Sequence, residues 1–160
     1  LQDHGPALYR RSVYAFLKRT APPPFMSNFD GPNREQFCAR RERSNTPLQA
    51  LQLLNDVQHF EAARALAERT LLESGPTSAE RVQYLYRVVL ARQPSEHELR
   101  LVRQAFEQQL QMYQADLVAA ERVIGIGESR PQRIATVAET AAWTLTANLL
   151  LNLDETLTRQ

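Results

Sequence analysis

Three arginines, Arg40, Arg41 and Arg43, stand immediately before a Thr46-Pro47 helix start in a chain of 160 residues. Guanidinium groups so close together suit one of three tasks. They clamp carboxylates bidentately, bind an exposed anion such as phosphate, sulfate or an acidic sugar, or form a solvated face. Cations at a helix N-terminus oppose the macrodipole, so acidic partners are expected. The sequence offers Asp56, Asp154 and Glu155. A clamp from Arg41 or Arg43 onto Leu151-Asn152-Leu153-Asp154-Glu155 would tie the last helix to the start of the first. Asn152, Asp154 and Glu155 are thus candidate clamp residues. Arg40, Arg41, Arg43, Asn45, Asn55 and Asp56 are candidate contacts for a partner or an anion.

Other chemistry is thinly represented. Asn148 and Asn152 share a helical face four residues apart, where amides serve to cap or bond backbone; with Asn45, Asn55 and Asp56 they could also line a small polar pocket. His59 lies three residues after Asp56, the one neighbourhood that could pair a base with an orienting carboxylate. No Ser or Cys is spaced for a triad. His4, His59 and His97 share no helical face, so no metal site is expected. Gly125-Ile126-Gly127-Glu128-Ser129 follows a helix, lacks a preceding strand, and reads as a helix terminator instead of a phosphate loop. Tyr9, Tyr14, Phe16, Phe25 and Phe29 interleave with Arg10, Arg11, Lys18 and Arg19. That mix can stack nucleic-acid bases, but aromatics packed down beneath snorkelling arginines are the commoner outcome, and no nucleic-acid partner is expected.

The elements that must position these residues are helices. Residues 1–45 hold five of the nine prolines and read as an extended basic arm, with Ser12 to Arg19 fitting a short strand or a helical turn. Pro22-Pro23-Pro24 predicts an extended path, with Phe25, Met26 and Phe29 as anchors lacking an element of their own. From 46 to 160 a helical bundle is expected, forming one domain with the arm. Thr46 caps its first helix, whose stripe is Leu48, Leu51, Leu54, Phe60, Ala63, Leu66 and Leu71; continuity across Asn55-Asp56 is open. Thr77 or Ser78 caps a helix through Val82, Leu85, Tyr86 and Val89. Ser95-Glu96-His97-Glu98 is a capping box. The helix it opens should run unbroken to Gly125, about 40 Å, and Pro131 should open the last helix through Ala138, Ala141, Leu145 and Leu149. The expected fold is an all-α antiparallel bundle of four to five helices with an irregular, Pro-rich arm.

Composition sets the remaining bounds. Apolar residues make up 43% and the net charge is +1, which points to neither nucleic acid nor membrane. Charge is uneven, with eight Lys or Arg against four acids in residues 1–46 and eleven against fourteen afterwards. Cys38, the only cysteine, reads as a small half-buried loop residue, and no haem-attachment motif is present. The apolar run from Leu145 to Leu153 is far short of a membrane span.

Several stretches together carry a resemblance. They are Arg10-Arg11-Ser12-Val13-Tyr14, Pro23-Pro24, Phe29-Asp30, the Arg-rich run into Thr46-Pro47-Leu48-Gln49-Ala50-Leu51, Glu61-Ala62-Ala63-Arg64, Leu66-Ala67-Glu68-Arg69, Arg92-Gln93-Pro94-Ser95-Glu96, and Trp143 to Glu155. With them the chain resembles the C-terminal domain of unknown function of planctomycete-type multidomain proteins that often carry a cytochrome c domain. Val57 departs from the proline that such proteins often have after Asn-Asp. The resemblance implies the C-terminal part of a large exported protein, periplasmic or in the cell envelope, with any haem in a separate upstream domain. It assigns no reaction and no catalytic residue. The expected function is a non-catalytic docking module that meets upstream domains of its own polypeptide or another exported protein. The alternative is one wall of a carbohydrate- or redox-related enzyme or ligand site completed upstream.

Overall fold

The computed structural model describes residues 4–14, 16–18, 20–32, 37–40 and 44–157. Among these residues the chain is all-α, with eight α-helices and no strand. Two 3-10 turns, Gly5–Tyr9 and Ser12–Tyr14, precede α1 (Pro24–Asn28), α2 (Pro47–Asn55) and α3 (Val57–Glu73). Then come α4 (Ser78–Leu90), α5 (Glu96–Ala115), α6 (Leu117–Ile124), α7 (Val137–Leu151) and α8 (Asp154–Leu157).

Side chains that bond the free N–H groups of the first turn set the helix starts. Thr46, Asp56, Thr77, Ser95, Asp116 and Thr136 each accept from the backbone N–H three residues on, opening α2 to α7 in turn. Reciprocal capping boxes complete three of them, through Gln49, Glu80 and Glu98. Asp56 and Asp116 decide two points of topology. Asp56 ends α2 and caps α3, so the helix breaks there without a proline at position 57. Asp116 does the same between α5 and α6, and the unbroken helix expected up to Gly125 is in fact two.

The core is organised around α7. It packs most extensively on α3, then on α5 and α6. Small residues permit the approach: Ala63 and Ala67 of α3 and Ala141, Ala142 and Ala147 of α7 are fully buried in one cluster. Trp143 is fully buried at its centre, stacked on Phe106 with ring centroids 4.1 Å apart. The Arg81 guanidinium lies 5.7 Å from the Trp143 ring and bonds Glu139 at 2.5 Å. Buried residues occur all round α7, including Thr140, Thr144, Thr146 and Asn148. Thr144 and Thr146 return their hydroxyls to the carbonyls of Thr140 and Ala142, which lets a polar residue sit in a dry core.

Several expectations are corrected. Leu48, Leu51 and Leu54 are exposed, while Gln49 and Leu53 face inward. Gln49 is turned in because its amide bonds the Asn28 carbonyl at 2.6 Å and the Ser44 hydroxyl at 2.9 Å. The helix expected to run unbroken to Gly125 would turn Leu117 inward, but the break at Asp116 places it in the first turn of a new helix, where it is exposed. α7 starts at Val137 and not at Pro131, since the cap is Thr136. Leu149 also lies exposed. Pro24 opens α1 instead of extending the chain, and Cys38 is exposed. Of the short strand and the helical turn left open for Ser12 to Arg19, residues 12–14 form a 3-10 turn.

Close α3–α7 contact leaves no room for added volume. Ala67→Leu is expected to cost about 1–3 kcal/mol in urea unfolding, whereas the exposed Leu72→Ala control stays within about 0.5 kcal/mol.

Candidate functional site

The densest polar constellation lies on α3, where Glu61, Arg64 and Glu68 project at three- and four-residue spacing and are all buried. Arg64 is 3.7 Å from each carboxylate, closer to an ion pair than to a hydrogen bond. Its terminal nitrogens bond the last residue of α6 and the segment between α6 and α7: the carbonyls of Ile124, Ile126 (2.9 Å) and Ser129 (2.7 Å), and the Ser129 hydroxyl (2.6 Å). Glu61 accepts from the backbone N–H of Glu128 (3.0 Å) and Ser129 (2.7 Å), and Glu68 from that of Gln132 (3.0 Å). The non-helical segment thus finds for its backbone groups, on charged side chains of α3, the partners that secondary structure would otherwise supply. Gly127 adopts φ +101°, and a Cβ there would strike the Glu61 carboxylate.

The N-terminal arm is fastened to the same place. Tyr9 donates its hydroxyl to Glu61 at 2.7 Å. Glu128 accepts from the Gly5 N–H at 2.7 Å and contacts His4 Nδ1 at 2.6 Å. Burial pushes the Glu61 carboxyl up, but hydrogen bonds from Ser129, Tyr9 and the Glu128 backbone outweigh it and hold the group at about 2. Glu128 is lowered by the Gly5 N–H and by His4. The Tyr9 hydroxyl is raised, chiefly through its bond to Glu61. An open cleft of about 450 Å³ adjoins this network, lined by Leu8 of the arm, by residues 55–58, and by Glu61 and Glu128.

The candidate residues read from sequence fall in three places. Asn55 and Asp56 line the cleft. Asn55 bonds the Leu51 carbonyl at 2.8 Å. Asp56 spends one oxygen on the His59 backbone N–H, so it caps a helix and does not orient the imidazole. Burial lowers the His59 pKa. The second place is the end of the bundle. There Glu155 is gripped by Arg92 (2.7 and 2.8 Å), whose fork also holds Glu98 (2.6 and 3.0 Å). For Glu155 the clamp therefore comes from Arg92, an arginine close in space but far from the expected cluster. Arg92 in turn holds the Glu98 carboxyl at about 2, and the Ser95 N–H adds to the effect. Asp154 accepts from the Asn45 amide, and Asn152 bonds the Asn148 carbonyl at 2.8 Å. Third, Arg40 is exposed, while Arg41 and Arg43 lie outside the described residues. Cys38 donates to the Arg40 carbonyl.

Residues 1–106, two thirds of the chain, match the family model PSD1, described as a protein of unknown function (DUF1553). The chain belongs to this family. The PSD1 match contains Tyr9, Glu61, Arg64 and Glu68 but stops short of the segment they hold and of α7. No curated protein and no solved structure matches the chain. Among the described residues no helix is long and apolar enough to cross a membrane.

Chemically, both Glu61 oxygens and both terminal nitrogens of Arg64 are engaged within the protein. Such saturation suits holding a loop, not moving a proton. In the sequence this stretch shows an apolar stripe, and the signal for the buried charges is a Glu-x-x-Arg-x-x-x-Glu face set among alanines. Removing Arg64 leaves two buried carboxylates and a set of carbonyls unpaired, so Arg64→Ala is expected to cost about 3–5 kcal/mol in urea unfolding.

Glu61 also predicts an acid dependence. Its folded value of about 2 lies below its ordinary 4.5. The stabilisation is therefore complete above about pH 4.5 and is lost as pH falls towards 2. Glu61→Gln should be less stable at pH 7 and lose less stability between pH 4.5 and 2, as read from urea midpoints across that window.

Proposed function

We propose that this PSD1 chain is a non-catalytic docking module of a larger exported multidomain protein of the planctomycete type. It meets upstream domains of the same polypeptide or another exported protein in the periplasm or cell envelope. Any haem belongs to a separate upstream domain; neither nucleic acid nor membrane insertion is part of this reading. One observation carries it. The arm is pinned through His4, Gly5 and Tyr9 yet turns Val13, Tyr14, Phe16 and Phe37 outward, with Phe16 at 85% and Phe37 at 97% exposure. Large apolar side chains held in water in this way are characteristic of interaction surfaces. Arg10, Arg11, Lys18 and Arg40 are exposed in the same arm, with Arg11 lying over the Tyr14 ring, and charges of this kind set orientation and on-rate.

A second reading is favoured by the 450 Å³ cleft beside Asn55 and Asp56. In that reading the chain forms one wall of a carbohydrate- or redox-related site that an upstream domain completes.

The deciding experiment is retention of the rest of the polypeptide on the immobilised chain. Replacing Val13, Tyr14, Phe16 and Phe37 by Ser should weaken retention at least about a hundredfold, as loss of several interface aromatics does. A folded, monomeric chain that retains nothing contradicts docking.

A further inference from the structure

The outer face of α2 carries Leu48, Leu51 and Leu54, each about half exposed. Leu54 leads directly into Asn55, Asp56 and Val57, which line the cleft, and Val57 is itself 55% exposed. The C-terminal end of α2 therefore adjoins the hollow. Three side chains lining the hollow are carboxylates, Asp56, Glu61 and Glu128, and none is Lys or Arg. The basic side chains of this network are already committed: His4 contacts Glu128, and buried Arg64 bonds backbone carbonyls. Glu128 still has 40% of its side chain exposed. An apolar stripe ending in an anionic hollow is complementary to a segment with an apolar helical face and a cationic end. An anionic lipid surface would be repelled by the same carboxylates.

We propose that α2 and the cleft together seat an amphipathic helix of a partner protein. Its apolar face covers Leu48, Leu51 and Leu54, and its terminal Lys or Arg enters the cleft beside Asp56 and Glu128. The inference rests on the docking reading above and specifies the partner's chemistry at one place.

The probe is a fluorescein-labelled peptide of about 14 residues, the shortest length at which helix formation is reasonable. It bears Leu at i, i+3 and i+7 and a single C-terminal Arg; its twin ends in Gln. Anisotropy titrations should show the Arg probe binding more tightly, by up to about fivefold, as befits a partly exposed ion pair. Asp56→Asn with Glu128→Gln should abolish that preference. Asparagine caps a helix as well as aspartate, so α3 keeps its start. Leu48→Gln with Leu51→Gln should weaken both probes. Equal binding of the two probes, indifference to the charge variant, or no saturable binding overturns the proposal. If the charge variant still retains the rest of the polypeptide while the probes fail, docking stands and this inference falls. Loss of retention by the unmodified chain removes both.

Discussion

Arg64 is the residue on which the rest of the structure depends. It is a guanidinium 1% exposed, placed between two buried carboxylates and bonded to a segment with no secondary structure of its own. Burying such a group is costly unless every charge and donor is matched. Here the match is made by the backbone between α6 and α7, whose orphan carbonyls and N–H groups need partners equally. The two demands are met by one arrangement. Because that segment leads into α7, its fixed path also delivers the central helix to its place against α3.

The same network extends outward. Glu61 binds the loop on one side and Tyr9 on the other, and Glu128, a loop residue, holds His4 and Gly5. Core, loop and arm are thus joined through α3 side chains, and the cleft beside Asn55 and Asp56 is a consequence of where the arm is tied down. At the opposite end Arg92 gives α8 a comparable anchor through Glu155 and Glu98. The apolar side chains of the arm and of α2 are left facing outward by this construction, and it is on them that the docking reading stands.

Local signals were legible in the sequence. Thr46, Thr77 and Ser95 mark helix starts because capping depends on residues three positions apart, and the all-α class follows from them. The break at Asp116 is not legible because it sits inside a sustained apolar period, where an aspartate reads equally well as a solvated helix residue. Periodicity gives Leu48, Leu51 and Leu54 a common face but not its direction; the Gln49 amide, drawn to Asn28 and Ser44, turns that face outward. The buried charges were invisible for a different reason. Glu61, Arg64 and Glu68 satisfy groups some sixty residues away, and no local pattern reports such a pairing. Arg92 grips Glu155, while the clamp read for Arg41 or Arg43 lies outside the described residues.

Amide hydrogen exchange at Glu128, Ser129 and Gln132 tests the central claim most directly. Their N–H groups point at Glu61 and Glu68, so the account predicts protection approaching that of α7, despite the absence of helix or sheet at these positions. Exchange at the rate of an unstructured loop, with α7 still protected, would contradict it.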